Sequence, residues 1–196
     1  MQEEGVIKYQ CHHRPGTLPV ADLLSLHELR QHFYQLGGIG YDSLHQVGYG
    51  NASVRVAQGF IITASQTGHL PALSGEHLSW VYRCAPSQNE LWCQGRYPAS
   101  SEAMTHHSIY ETRPEVQLIA HIHHPACWQQ GLHRLPTTPA DVAYGTPEMA
   151  TCVAALLGRH TAIPGLFLTA GHTDGVFVYA QSLEELLSYW EARYPG

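Results

Sequence analysis

A chain of 196 residues with 44% hydrophobic content carries enough apolar side chain for one domain with a sizeable core, and residues 1–196 are expected to form a single unit. A formal net charge of −6 without a basic run disfavours nucleic acid and anionic membrane as partners, and no apolar stretch nears the roughly 18 residues of a membrane span. The odd set of Cys11, Cys84, Cys93, Cys127 and Cys152 lacks a CxxC pair, and MQEEGVIKYQ lacks a signal-like apolar core, so a reducing, cytoplasmic setting is expected.

In chain order, GVIKY (5–9) predicts a short strand and RPGTLP (14–19) a loop. ADLLSLHELRQHFYQLGG (21–38) has helical apolar spacing and stops at Gly37-Gly38. NASVRVAQGFIITAS (51–65) predicts two strands about Gln58-Gly59, and LSWVYRCA (78–85) and ELWCQGR (90–96) two more about a Pro-Ser-Gln-Asn turn. SEAMTHHSIYETR (101–113) predicts a helix closed by Pro114, followed by an apolar strand VQLIAHIHH (116–124). TPEMATCVAALLG (146–158) predicts a helix capped by Thr146 with Pro147 at its first position. LFLTAG and VFVYA predict strands, and SLEELLSYWEARY (182–194) a closing amphipathic helix. This intermixing predicts an α/β or α+β domain with a central sheet covered by helices.

Fifteen histidines include the run HIHH at 121–124. On a strand, His121 and His123 share one face, about 6.6 Å apart along the chain, and His124 points away. Two such rings can converge on one metal, or they can simply pack and hydrogen-bond on a half-buried face. His172, just past LFLTAG, becomes a candidate third ligand beside them; three nitrogens leave a fourth position open, the pattern of a catalytic zinc.

The stretch Pro98-Ala99-Ser100-Ser101-Glu102 opens a helical pattern. Its serines read as N-caps, or as hydroxyls that join free backbone N–H groups in holding an anion. Glu102 reads as a dipole-complementing surface residue, a general base or a metal ligand, with His106 on the same helix face and His107 off it. Gly50-Asn51 and Ser65-Gln66-Thr67-Gly68 are turn chemistry that can also aim donors at an anion. Lys8 is the single lysine, so a Schiff-base route to carbon–carbon chemistry is disfavoured against a metal route.

GNASVR, SQTG, PASSEAMTH, HIHHP, YGTPEM and AGH occur in an order and spacing that resembles the class II aldolase/adducin family across roughly residues 25–180. The resemblance implies a three-layer α/β/α domain with a central, mainly antiparallel sheet, and a homotetramer with sites between subunits. It implies that His121, His123 and His172 bind zinc and that Glu102 is a base and sometimes a fourth ligand. It implies that Asn51, Thr67, Gly68, Ser100 and Ser101 cradle a phosphate. Three neutral imidazoles favour zinc, with manganese or cobalt as substitutes. Two departures bear on the substrate: Gly171-His172-Thr173 stands where the family has Asn-His-Gly, and the segment between His123 and His172 is short. Only twenty-four residues follow His172, so some of the family's substrate contacts are expected to be missing.

The function expected is a zinc-dependent lyase of carbohydrate metabolism, an aldolase acting on a small hydroxy-carbonyl compound through a metal-stabilised enediolate. A sugar phosphate ranks slightly ahead of a sugar acid as substrate, since only Arg55 in these motifs is cationic. Epimerase and dehydratase chemistry remain open on the same site. The non-enzymatic adducin-like assembly module is the reading of another class, and the retained histidines and Glu102 argue against it.

Overall fold

Alternation of side chains divides one sheet into two buried faces. The computed structural model describes residues 5–19 and 23–195. Its strands are β1 (Gln10–Arg14), β2 (Gly40–Asp42), β3 (Val47–Tyr49), β4 (Asn51–Arg55), β5 (Phe60–Thr63), β6 (Leu78–Ala85), β7 (Glu90–Gly95), β8 (Leu118–His123), β9 (Thr137–Thr138), β10 (Gly165–Thr169) and β11 (Gly175–Ala180). Its helices are α1 (Leu24–Gln35), α2 (Ala103–Thr112), α3 (Pro125–Gly131), α4 (Pro147–Arg159) and α5 (Leu183–Glu191). Nine strands form one sheet in the order β1-β7-β6-β5-β4-β8-β11-β10-β9, and β2 and β3 form a separate hairpin.

Ile62, Ile119, Phe177 and Tyr179 face a core shared with Met104, Ile109 and Val153 of α2 and α4. Their neighbours Ile61, Leu118, Ala120 and Val176 face a second core with Leu29, Phe33 and Trp190 of α1 and α5. Period-two strands thus meet helices on both sides, giving three layers. The expectation of a mainly antiparallel sheet is corrected: the sheet is mixed, with β1 joining β7 and β9 joining β10 in parallel. The two parallel pairings are both at sheet edges, formed by strands of five and two residues that carry little hydrophobic signal.

Other boundaries also shift. Residues 5–9 are not a strand; pairing begins at Gln10, in register Gln10↔Glu90, and the polar run QCHHR had masked it. The helix expected from residue 21 is observed from Leu24, with residues 21–22 outside the described set. α2 starts two residues later than expected, which moves Glu102 out of the first turn to the helix boundary. Thr146 caps α4 as expected, accepting from Met149 N at 3.2 Å, and Ser182 caps α5 in the same way. The short α3, capped by His124, and the β2–β3 hairpin had no periodic signal long enough to read.

α2 is pinned to the sheet by a buried polar contact. His106 Nδ1 lies 2.7 Å from Ser53 Oγ of β4, and that hydroxyl lies 2.8 Å from the Tyr110 hydroxyl. Burial pushes the His106 imidazole down to about 3, so it is neutral in the folded chain. The unfolded chain takes up that proton near pH 6.5, so the contribution is fully present above about pH 6.5 and is lost as pH falls towards 3. The denaturation midpoint should therefore drop between pH 7 and pH 4. A His106→Asn variant should be less stable at pH 7 but lose less on acidification, by up to about 1.4 kcal/mol per pH unit. Identical pH slopes in the two proteins would remove His106 from the account.

Candidate functional site

Antiparallel pairing brings the site residues to one end of the sheet. The C-terminal end of β8 meets the N-terminal ends of β4 and β11, so Asn51 pairs with His121, and Gly175 pairs with His123. His121 and His123 share the face of Ile119, as alternation requires, and their ring centroids are 5.3 Å apart. His172 sits in the tight turn from β10 to β11, where His172 N donates to Thr169 O at 3.1 Å and Gly175 N donates to His172 O at 3.0 Å. Its ring lies 5.1 Å from that of His121 and 4.8 Å from that of His123. One nitrogen from each of the three rings falls within 4.8 Å of the other two, a cluster able to hold a metal ion. Phe177 stacks on His121 at 4.5 Å and on Phe167 at 5.0 Å, fixing the first ring against the core. His124 lies apart: its Nδ1 accepts from Cys127 N at 3.0 Å and its ring packs on Trp190.

Glu102 completes the cluster from α2. Its Oε2 is 2.8 Å from His121 Nε2, and its Oε1 is 3.4 Å from His172 Nδ1. Asn51 Nδ2 donates to Oε2 at 3.0 Å. Burial pushes the Glu102 carboxyl up, but the His121 and His172 imidazoles outweigh it and hold it well below the usual carboxylate range. Burial lowers His121 more than the Glu102 charge raises it, so that ring is neutral. An ionised carboxylate therefore faces an uncharged imidazole, held by N–H dipoles, that of Asn51 among them.

The charge on Glu102 and the neutrality of His121 suit a cation. Metal ligands must be deprotonated, and these are. His121 Nδ1 is buried without a hydrogen-bond partner, while Nε2 lies 2.8 Å from Glu102 Oε2. Buried polar atoms in that condition cost free energy, and an ion at the shared focus would relieve it.

A small pocket of about 30 Å³ opens beside Glu102 and His172 and is lined by Asn51, Thr67, Gly68, Ser100 and Ser101. Ser65 N donates to Pro98 O at 2.9 Å and Ala64 bridges Ala99, which ties the turn after β5 to the segment before α2. Gly68 approaches its neighbours so closely that a Cβ would stand 2.3 Å from Gly40 O. Not all five residues keep donors for a ligand. One of the two Asn51 amide hydrogens goes to Glu102, and the Thr67 hydroxyl donates to Ala64 O at 2.8 Å. The Ser100 hydroxyl accepts from Glu102 N at 3.4 Å and retains its proton. Neither serine caps α2, so the capping alternative falls.

Residues 38–192 match the family described as Class II Aldolase and Adducin N-terminal domain. The chain belongs to this family. Among solved structures it is similar to L-fuculose-1-phosphate aldolase from Thermus thermophilus, at 23% identity and TM-score 0.57 over 88% of this chain and 96% of that one. It is similar to YgbL from Escherichia coli, at 22% identity and TM-score 0.58 over 85% and 82%. It is also similar to a sugar-phosphate aldolase from Thermotoga maritima, at 15% identity and TM-score 0.56 over 86% and 89%. These likenesses concern the fold. No curated protein matches the sequence significantly.

As a class II aldolase/adducin domain, the chain also uses residues that the sequence reading passed over. Arg30 of α1 is buried, and its guanidinium donates to the carbonyls of Gly68 at 3.2 Å and Leu70, and to Thr67 O at 3.4 Å. One cation on several carbonyls holds the Thr67–Gly68 turn from behind. Nothing in the spacing of α1 signals that role, since an arginine on an amphipathic helix reads as exposed. Tyr144, from the shortened segment between His123 and His172, lines the pocket 4.8 Å from the His172 ring. Arg55 turns away: it donates to Val116 O at 2.8 Å and Tyr110 O at 2.7 Å. Within the described residues no helix is long and apolar enough to cross a membrane.

Proposed function

We propose that this chain is a zinc-dependent lyase, an aldolase that makes or breaks a carbon–carbon bond in a small hydroxy-carbonyl compound. The observation that carries this reading is the convergence of His121, His123 and His172 within 4.8 Å of one another, with Glu102 against two of them at the foot of a pocket. The three histidines would hold zinc, which supplies Lewis-acid stabilisation of negative charge on the substrate's carbonyl and neighbouring hydroxyl oxygens. Three imidazoles and a carboxylate suit zinc, cobalt or manganese better than calcium.

Glu102 would accept and return the substrate's hydroxyl proton. Its ionised state makes it ready to accept, and Asn51 Nδ2 orients the carboxylate from the side. The Ser100 and Ser101 hydroxyls and the backbone of the Thr67–Gly68 turn would hold the substrate's anionic end. With Arg55 engaged elsewhere, the pocket presents neutral donors, and a phosphorylated sugar stands only slightly ahead of a sugar acid. The names of two similar structures, an L-fuculose-1-phosphate aldolase and a sugar-phosphate aldolase, support that order. Epimerase chemistry by retro-aldol cleavage and re-addition would use the same groups, as would dehydration. A buried, metal-competent triad favours catalysis over an adducin-like assembly module, which needs none.

A cytoplasmic homotetramer belongs to the same proposal. The family supports it, as do the exposed Tyr41 and Leu44 on the β2–β3 hairpin. Sedimentation at micromolar concentration should show four chains together, and a lone species near 21.7 kDa would contradict it. Glu102→Gln tests the chemistry: it keeps the shape and removes the proton acceptor. Turnover of hydroxy-carbonyl substrates found by screening should fall about 10²–10⁴-fold with fold and metal retained. Unchanged turnover would reduce Glu102 to a helix-boundary residue.

A further inference from the structure

The segment Gly5–Tyr9 precedes the family match, which begins at residue 38, and its first residue lines the pocket. The Gly5 backbone is part of the pocket wall beside Gln66 and Gly68. Its φ is +74°, and a Cβ there would stand 2.7 Å from Gln66 Nε2 and 3.0 Å from Val47 Cγ2. The positive φ is what favours glycine here, since the Gln66 amide is a side-chain end that can swing aside. The segment has no regular structure, so its order comes from side-chain anchors.

Those anchors lead to the pocket's own lining. Val6 N donates to the Tyr144 hydroxyl at 3.2 Å. Lys8 Nζ donates to Tyr144 O at 3.2 Å and stands 3.5 Å from the centre of its ring. The buried Tyr9 hydroxyl lies 2.9 Å from Ser100 O and 3.2 Å from Ala99 O, and donates there. Tyr144 reaches His172, and Ser100 is among the anion donors proposed above. The segment is therefore fastened to both ends of the site.

We propose that Gly5–Tyr9 is the end wall of the ligand pocket and sets how long an anionic group the site admits. The pocket between the serines and the Thr67–Gly68 turn has about 30 Å³, room for one tetrahedral oxyanion, and a second phosphoryl group joined to it would meet Gly5 and Gln66 in the lining. The inference rests on the reading of this pocket as an anion site. Titration calorimetry on the full chain compares inorganic phosphate with pyrophosphate in the wild type and in a Lys8→Ala/Tyr9→Phe variant. The phenylalanine keeps the buried ring while releasing Ser100, and circular dichroism verifies folding. The wild type should prefer phosphate by at least about tenfold, and the variant should lose that preference by gaining pyrophosphate. Equal affinities in the wild type, or a preference that survives in the variant, overturn the wall. If neither protein binds either anion, the anion reading is what fails, and the wall is decided without a ligand. Carbethoxylation of His172 by diethylpyrocarbonate in metal-free protein, followed by peptide mass spectrometry, should then be about tenfold faster in the variant; equal rates overturn the wall.

Discussion

The arrangement turns on one buried contact, that between the Glu102 carboxylate and the His121 imidazole at 2.8 Å. Both groups are almost wholly out of solvent, where an unpaired charge is expensive. Each is there because a separate element delivers it: β8 carries the imidazole and the start of α2 carries the carboxylate. The fold can hold them together only because other groups share the load. Asn51 donates to the same carboxylate oxygen, and His172 approaches the other oxygen. Phe177 holds the His121 ring by stacking. Remove the carboxylate, and a fully buried imidazole is left without a charged neighbour on that side. Remove the imidazole, and the carboxylate keeps only part of its support.

The sheet explains why this cluster exists at one end of the molecule. Three antiparallel neighbours, β4, β8 and β11, place a strand start beside a strand end beside a strand start. Polar side chains at such an end avoid the ladder's apolar middle, where Ile119 and Phe177 occupy the same face. The turn from β10 to β11 closes over them and adds His172. The pocket then forms between this end of the sheet and the turn after β5, which Arg30 grips from the opposite helical layer. A strand carries His121 and His123, a turn carries His172, and another turn carries the Thr67–Gly68 donors.

Much of this was legible from spacing. Alternation placed His121 and His123 on one face and His124 off it, capping chemistry placed α4, and amphipathic spacing placed α5. The ordered motifs gave the family, and with it a third histidine that no local pattern could attach to the other two. What escaped the sequence is non-local or short. The parallel edge pairings of QCHHR and of Thr137-Thr138 depend on partners distant in the chain, and neither stretch is apolar. The start of α2 was placed early because serines before a helical pattern read as caps, whereas here their hydroxyls line a pocket. Arg30, Tyr144 and Lys8 act through tertiary contacts with carbonyls and rings, which leave no periodic trace. The imidazoles that lower the Glu102 carboxyl come from β8 and the β10–β11 turn, far from it in the chain.

The central claim is that the three histidines exist to hold a metal. Elemental analysis of the purified full chain tests it most directly. The wild type should hold about one zinc per chain, and a His121→Ala/His123→Ala variant near none after dialysis against a chelator. Stoichiometric metal retained by that variant, or a wild type that takes up no divalent transition metal when it is supplied, would contradict it.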